Sequence, residues 1–327
     1  MTIRVAITGI GGDVGMGAIR GLRTLQSGRD RIWILGLDAD DDCAGRQLVD
    51  AFARLPRVAD PGYLDALIPR LRASEIDVLL PGIDSEVILL SRERHRFEAA
   101  GLKLALAPAD LIEAAGDKLA TAAFVTARGL RAPSTCDADA PRALQFPVIA
   151  KPRRGQGSKG IVRLDDSRSL DTFLSEGRPD YCLQSYVEGP EITVGFLYDW
   201  SGILRDAIAM ERTLENGRTV RATVTRSLDI LRFIDDFGAR IQGAGAVNAQ
   251  LRLHAELGPQ IFEINARLSG STAMRVAVGF NDPLRIVKHL VQGVPMERSS
   301  VYDDATVSRV SDQLVVERLR LKGDDPD

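Results

Sequence analysis

Short apolar runs alternate with longer stretches of helically spaced apolar residues through the first third of the chain. Ile3 to Thr8, Ile32 to Asp38, Arg54 to Val58, Val78 to Pro81 and Leu102 to Ala107 read as buried strands, and Gly17 to Gln26, Tyr63 to Arg72 and Ser85 to Ala99 as amphipathic helices. This order predicts a doubly wound parallel sheet over residues 1–110. From Leu111 the texture changes. A helix over Asp117 to Arg128 leads into strands Val148 to Lys151 and Gly160 to Leu164, a helix over Ser167 to Glu176, and a strand Tyr181 to Ser185. These predict a small α+β unit over 111–187. Beyond Gly189-Pro190, longer strand-like runs follow at Glu191 to Tyr198, Ile203 to Thr213, Gly245 to His254 and Gln260 to Asn265, with helices starting near Ser271 and Asp282. They predict a second, larger lobe over 188–327. The charged end, Lys322 to Asp327, is expected to fray.

Composition narrows the function classes. The 327 residues are 45% hydrophobic, enough for a sizeable core, and the net charge of −3 mixes both signs. No basic field argues for nucleic acid or an anionic membrane. No apolar run approaches the roughly 20 residues of a membrane span, and MTIRVAITGIGG enters a folded domain directly rather than through a secretory leader. A cytoplasmic location is expected. Cys43, Cys136 and Cys182 lack CxxC spacing, and His95, His254 and His289 fall singly, so neither a disulfide framework nor a zinc site is implied.

Chemistry is concentrated in three segments. In FPVIAKPRRGQGSKGI, Lys151 ends an apolar strand and is followed by Gly155, Gly157, Ser158 and Gly160 among basic residues. The Walker pattern fails, because Gly160 is followed by Ile161. A hairpin lid whose N–H groups close over phosphates fits the composition, as does a solvated basic hairpin. In the second segment, Glu263 and Asn265 lie two apart on a strand and share a face, and Gln250 on the partner strand reaches it. A carboxylate and two amide oxygens suit Mg²⁺, or Mn²⁺, and Arg267 is placed to neutralise a transferring phosphoryl group. A solvent-facing polar row is the plainer account. In YCLQSYVEGPEITV, Gln184 and Glu191 flank Tyr186, Val187 and a Gly-Pro turn, a hinge suited to a flat base and its ribose, or simply a domain link.

The glycine loop GIGGDVG, with Asp38 ending the next strand, also permits an NAD(P)-binding epimerase or reductase. None of Tyr63, Tyr181, Tyr186, Tyr198 or Tyr302 has the Lys four residues later that such short-chain enzymes use.

Taken in order, Asp117-Lys118, AKPRRGQGSKG, LQSYVEGPE, NAQ and EINARLSGSTA resemble the ATP-grasp superfamily, in particular the ATP-grasp unit of carbamoyl phosphate synthase large subunits, in single copy. The resemblance implies a Rossmann-like domain followed by a two-lobed ATP-grasp domain, with ATP and magnesium as cofactors. Lys118 and Lys151 would hold phosphates, Gly155 to Gly160 form the lid, and Gln184 and Glu191 contact adenine and ribose. Gln250, Glu263 and Asn265 would be metal ligands, and Arg267 the transition-state arginine. Gln184 stands where many members have Glu, Ala266 where they have Pro, and Gln250 where many are acidic. The activity implied is ligation of a small carboxylate to an amine through an acyl phosphate, without carbamoyl phosphate as product. A kinase or nucleotide-sensing module is the alternative. For the substrate, Ser269, Gly270 and Ser271 open a helix whose N–H groups suit an anion, and Arg212, Arg221, Arg226 and Arg275 are further candidates. Pairing into a homodimer through the first domain is also expected.

Overall fold

The computed structural model describes residues 2–24, 31–141, 144–155, 157 and 159–310. Ser158 and the charged tail lie outside the described residues. Strands β1 (Thr2–Thr8), β2 (Arg31–Asp38), β3 (Ala51–Arg54), β4 (Val78–Leu80) and β5 (Lys103–Leu104) form a parallel sheet in the order β3-β2-β1-β4-β5. Helices α1 (Asp13–Arg23), α2 (Tyr63–Ala73), α3 (Asp84–Arg92) and α4 (Arg94–Ala99) cross between them. Both faces of β1 are covered, so its β-branched and aliphatic residues are buried continuously from Val5 to Ile7.

The third strand differs from expectation. It runs over Ala51–Arg54, paired with Leu35–Asp38, rather than over 54–58. Pro56 has no N–H to give to a ladder, which ends the pairing beforehand. The single helix expected over 85–99 breaks at Glu93 into α3 and α4. At the C-terminal edge, fully buried Glu86 accepts from Thr8 Oγ1 and from Tyr63 Oη at 2.5 Å, while Thr8 Oγ1 accepts the Gly82 N–H at 3.1 Å. Burial pushes the Glu86 carboxyl up to about 7 against those two donors. This cluster ties together the two strand ends that bracket the first glycine loop.

Helices α5 (Ala109–Ala115) and α6 (Lys118–Ala127) lead to a four-stranded sheet, β6 (Thr135–Asp137), β7 (Val148–Pro152), β8 (Val162–Leu164) and β9 (Tyr181–Ser185), ordered β6-β9-β7-β8, with α7 (Ser167–Ser175) on it. Asp117 caps α6 by accepting the Leu119 N–H at 2.9 Å, and Arg153 holds the same carboxylate at 2.8 Å. The base of the glycine-rich lid is thereby bound to the helix start that carries Lys118.

The third sheet is antiparallel at every pairing: β10 (Glu191–Tyr198), β11 (Leu204–Glu215), β12 (Arg218–Val224), β13 (Gly245–His254), β14 (Gly258–Asn265) and β15 (Thr306–Ser308), ordered β14-β13-β10-β11-β12-β15. Along β10 the pleat sends Ile192, Val194 and Phe196 to one face. There Phe196 stacks on Phe237 of α8 (Leu228–Arg240), ring centroids 4.1 Å apart. Thr193 and Gly195 face the other way, toward α9 (Thr272–Ala277), which precedes α10 (Asp282–Gln292). Gly189 is required where the hinge enters β10. Its φ is +117°, and a Cβ there would lie 2.1 Å from the Leu253 carbonyl oxygen.

Candidate functional site

Three strands deliver the polar side chains to one face of the large sheet. Gln250 pairs directly across from Thr193 and Glu263, and Asn248 from Asn265. The side chains meet as that register requires: Gln250 Nε2 donates to Glu263 Oε1 at 3.3 Å and to Asn265 Oδ1 at 3.2 Å, and Asn265 Nδ2 donates to Glu263 Oε1 at 2.9 Å. Asn265 Oδ1 also accepts from Asn248 Nδ2 at 3.2 Å. Among the described residues no group of three His, Cys, Asp or Glu side chains is placed to hold a metal; what this face brings together is one carboxylate and two amides.

Lys151 sits on β7 with 4% of its surface exposed. Its Nζ donates to Gln184 Oε1 at 2.7 Å and to the Phe262 carbonyl at 3.4 Å, and lies 5.4 Å from the Phe262 ring centroid. Burial draws its pKa down to about 8, with Lys118 adding to the fall and Glu263 and Glu191 opposing it. Gln184 gives its N–H to Thr135 Oγ1 at 2.8 Å, so both ends of this buried amide are committed, one to the lysine. Lys118 Nζ reaches the Gly155 carbonyl at 3.0 Å, across the mouth of the lid. Gly155, Gly157 and Gly160 all take positive φ, and a Cβ on either of the first two would meet nothing within 4 Å, which leaves the lid backbone open to a ligand.

These groups line a cavity of ≈ 210 Å³. Apolar walls come from Pro133, Ile149, Ile161, Val187 and Phe262, and the Tyr186 ring lies between Arg163 and Arg252, 4.9 and 5.4 Å from their guanidinium carbons. Glu191 closes one side. It is clasped by Arg212, whose Nε lies 3.0 Å from Oε1, and by Arg252 Nη2, 3.0 Å from Oε2. Arg212 also donates to Gln250 Oε1 at 2.6 Å.

A second cleft of ≈ 870 Å³ lies between the first glycine loop and the same sheet face, lined by Gly11, Asp13, Asp38, Arg267, Ser269 and Arg309 among others. Gly157, Lys159, Arg212, Gln250 and Glu263 line both spaces and form the wall between them. Arg267, 7% exposed, is clamped by Asp84 of α3 through two contacts of 2.5 Å. Arg218 and Arg309 share the single carboxylate of Asp13, at 2.6 and 3.1 Å.

Most of the expected residues are brought together, several of them in parts the sequence did not convey, but Arg221 lines neither space and Arg226 lines another cleft, paired with Asp303 at 2.8 Å. Gln184 is buried against Lys151. Arg212 is held by Glu191 and Gln250 instead of projecting freely at a substrate. Arg275 is buried on α9, donating to Thr193 Oγ1 at 3.2 Å and to Asn248. In the Ser269-Gly270-Ser271 loop, Thr272 Oγ1 takes the Ser269 N–H at 3.1 Å and Ser269 Oγ the Ser271 N–H at 3.2 Å, which uses up two of the donors expected to hold an anion. In the first loop, Asp38 accepts the Gly11 N–H at 2.8 Å. Asp84 and Thr135 reach the site from distant segments, and Phe262 lines it from the position before Glu263; no motif signalled their part. Arg252 was foreshadowed only by its alternation with Gln250.

Several known proteins are similar to this chain. Residues 177–313 match the family described as ATP-grasp in the biosynthetic pathway with Ter operon, and residues 21–105 match the PylC-like N-terminal domain. A carbamoyl-phosphate synthase of Methanobrevibacter smithii is 23% identical over 168 residues, a match that takes in 49% of this chain and 44% of that protein. Among solved structures, N5-carboxyaminoimidazole synthetase from Staphylococcus aureus, complexed with ADP, superposes with a TM-score of 0.71 at 15% identity, covering 91% of this chain and 80% of that one. L-amino acid ligase from Bacillus licheniformis gives 0.68 at 16%, covering 89% and 74%. The biotin carboxylase domain of Hydrogenobacter thermophilus 2-oxoglutarate carboxylase, a dimer solved with MgADP and bicarbonate, gives 0.65 at 17%, covering 87% and 69%. No helix among the described residues is long and apolar enough to cross a membrane. Residues 177–313 thus match an ATP-grasp family and residues 21–105 a PylC-like N-terminal domain, on a chain that shares the fold of these solved structures.

Proposed function

We propose that the chain is an ATP-dependent carboxylate-amine ligase working through an acyl phosphate. The observation that carries this reading is the shared wall. A cavity with a deeply buried lysine and an apolar slot shares Arg212, Gln250 and Glu263 with a separate cleft beside Arg267. A nucleotide in the first space would present its terminal phosphate to an acceptor in the second.

In this scheme the slot between Pro133, Ile149 and Phe262 takes the adenine, and Glu191 accepts from the ribose. Lys151 and Lys118 neutralise phosphate oxygens, and the lid excludes water from the reactive anhydride. The donor set at Glu263 and Asn265, hard oxygens without imidazole or thiolate, fits magnesium or manganese. Such an ion bound there supplies charge neutralisation to the phosphates. Arg267, fixed by Asp84, faces the developing charge as a substrate carboxylate oxygen attacks the γ-phosphorus and ADP departs. The amine nitrogen then attacks the acyl carbon, phosphate leaves, and the nitrogen gives up a proton. No side-chain nucleophile is needed. The cleft's guanidinium pair at Asp13, Arg218 with Arg309, carries one more positive than negative charge and is suited to anchoring the acceptor's own carboxylate.

The test is MgATP-dependent ADP release across a panel of amino acids and small carboxylates, with hydroxylamine present to capture acyl phosphate as hydroxamate. Hydroxamate formed from one carboxylate, and lost in Lys151→Ala, supports the ligase. ADP formed with a stable phosphorylated product instead would make the protein a kinase.

A further inference from the structure

The orientation of two amides at the candidate metal cluster is fixed by chemistry. A guanidinium only donates and a carboxylate only accepts. Gln250 lies between one of each, 2.6 Å from Arg212 Nη2 and 3.3 Å from Glu263 Oε1. Its oxygen must face the arginine and its N–H the carboxylate, because turning the amide over would oppose donor to donor and acceptor to acceptor. Asn265 is set the same way. Its oxygen takes N–H groups from Asn248 and Gln250, each at 3.2 Å, and its own N–H points at Glu263, 2.9 Å away. Asn248 is itself oriented by buried Arg275, which donates to its oxygen. Glu263 Oε1 thus receives two amide N–H groups, whereas a divalent cation there needs amide oxygens.

We infer that Arg212 is a positioning residue that holds Gln250 with its N–H toward Glu263 and so keeps the Gln250 oxygen from a cation at that cluster. This rests on the reading of Glu263 and Asn265 as metal ligands. Gln250, expected from the sequence to be a ligand, becomes one only when Arg212 lets its oxygen go. Arg212 is anchored in turn by Glu191, through Nε at 3.0 Å, on the wall of the nucleotide cavity. The carboxylate read as the ribose acceptor therefore also anchors the arginine that sets the amide at the metal site.

The experiment is Mn²⁺ binding to the nucleotide-free full chain, followed by loss of the free-ion electron paramagnetic resonance signal. Wild type, Arg212→Met, Gln250→Ala, the double variant and Glu263→Ala are compared, each checked for folding by thermal melting. Gln250→Ala should leave Mn²⁺ affinity within about twofold, because Arg212 holds its oxygen. Arg212→Met should tighten binding by about tenfold, the lower end of what changing the partner of a metal ligand does. Adding Gln250→Ala to it should abolish that gain, since the gain runs through the freed oxygen. A tenfold loss in Gln250→Ala alone, which does not depend on the arginine variant folding, would overturn the inference by showing that Gln250 already ligates. A gain that survives in the double variant would overturn it too, as a simple charge effect. Unchanged Mn²⁺ binding in Glu263→Ala would instead remove the metal assignment on which the inference stands.

Discussion

Lys151 Nζ lies 2.7 Å from Gln184 Oε1, both side chains being almost wholly buried. A neutral amide stabilises the ammonium less than a carboxylate would, and burial leaves the lysine titrating near 8. Bound phosphates favour the charged form, so nucleotide binding takes up a proton wherever the free protein has lost it. ATP affinity should accordingly be flat below about pH 8 and weaken above it by up to tenfold per unit, as one proton's linkage requires. Isothermal titration from pH 6.5 to 9.5 checks this. For folding the sign is opposite: the unfolded lysine holds its proton to its ordinary value of 10.5, so this group's contribution to stability rises between 8 and that value.

Gln184→Glu places a charge beside the ammonium. The lysine's titration should move up, and the pH at which ATP affinity begins to fall should move with it by at least about one unit, the size of a close opposite charge. An unmoved profile would mean that another group controls binding.

Asp84 reaches Arg267 from α3 of the parallel-sheet domain, more than 180 residues away in sequence. Asp84→Asn keeps the shape and removes the charge of the clamp. The arginine then loses its fixed aim, and kcat should fall roughly 10- to 100-fold, the cost of misplacing a positioned group. ATP affinity, measured by direct titration, should stay within about twofold.

Gly195→Ala tests the packing of the sheet on α9. The added Cβ would lie 2.4 Å from Arg275 Nη1, and that guanidinium is fully buried against Thr193 and Asn248 and cannot swing away. Overpacking of this kind should cost about 1–3 kcal/mol, seen as a lowered unfolding midpoint in urea.

The extent to which the sequence foretold this molecule follows the range of each interaction. Tyr181–Ser185, Glu191–Tyr198 and Gly245–His254 are where the apolar alternation put them, because each strand is buried against a helix and its pattern is local. Strand β12 and helix α8 were not anticipated: Arg218–Val224 is polar at every second or third position on a sheet margin, and Leu228–Arg240 exposes Leu228 and Leu231 on its outer side. At the site, Glu263 and Asn265 were readable from a two-residue spacing. The use of Gln184 to hold Lys151, and of Arg212 to orient Gln250, was not, since the partners are 33 and 38 residues apart and the second pair meets across the intervening β10.

In the proposed reaction the γ-phosphate passes to a carboxylate oxygen. Once hydroxamate trapping has identified that carboxylate, it is supplied with oxygen-18 in the carboxyl group together with MgATP and the amine, and the phosphate released is examined by phosphorus NMR. The account predicts one oxygen-18 atom in each phosphate, carried over when the acyl phosphate is cleaved. Phosphate free of the label, formed while product accumulates, would contradict it.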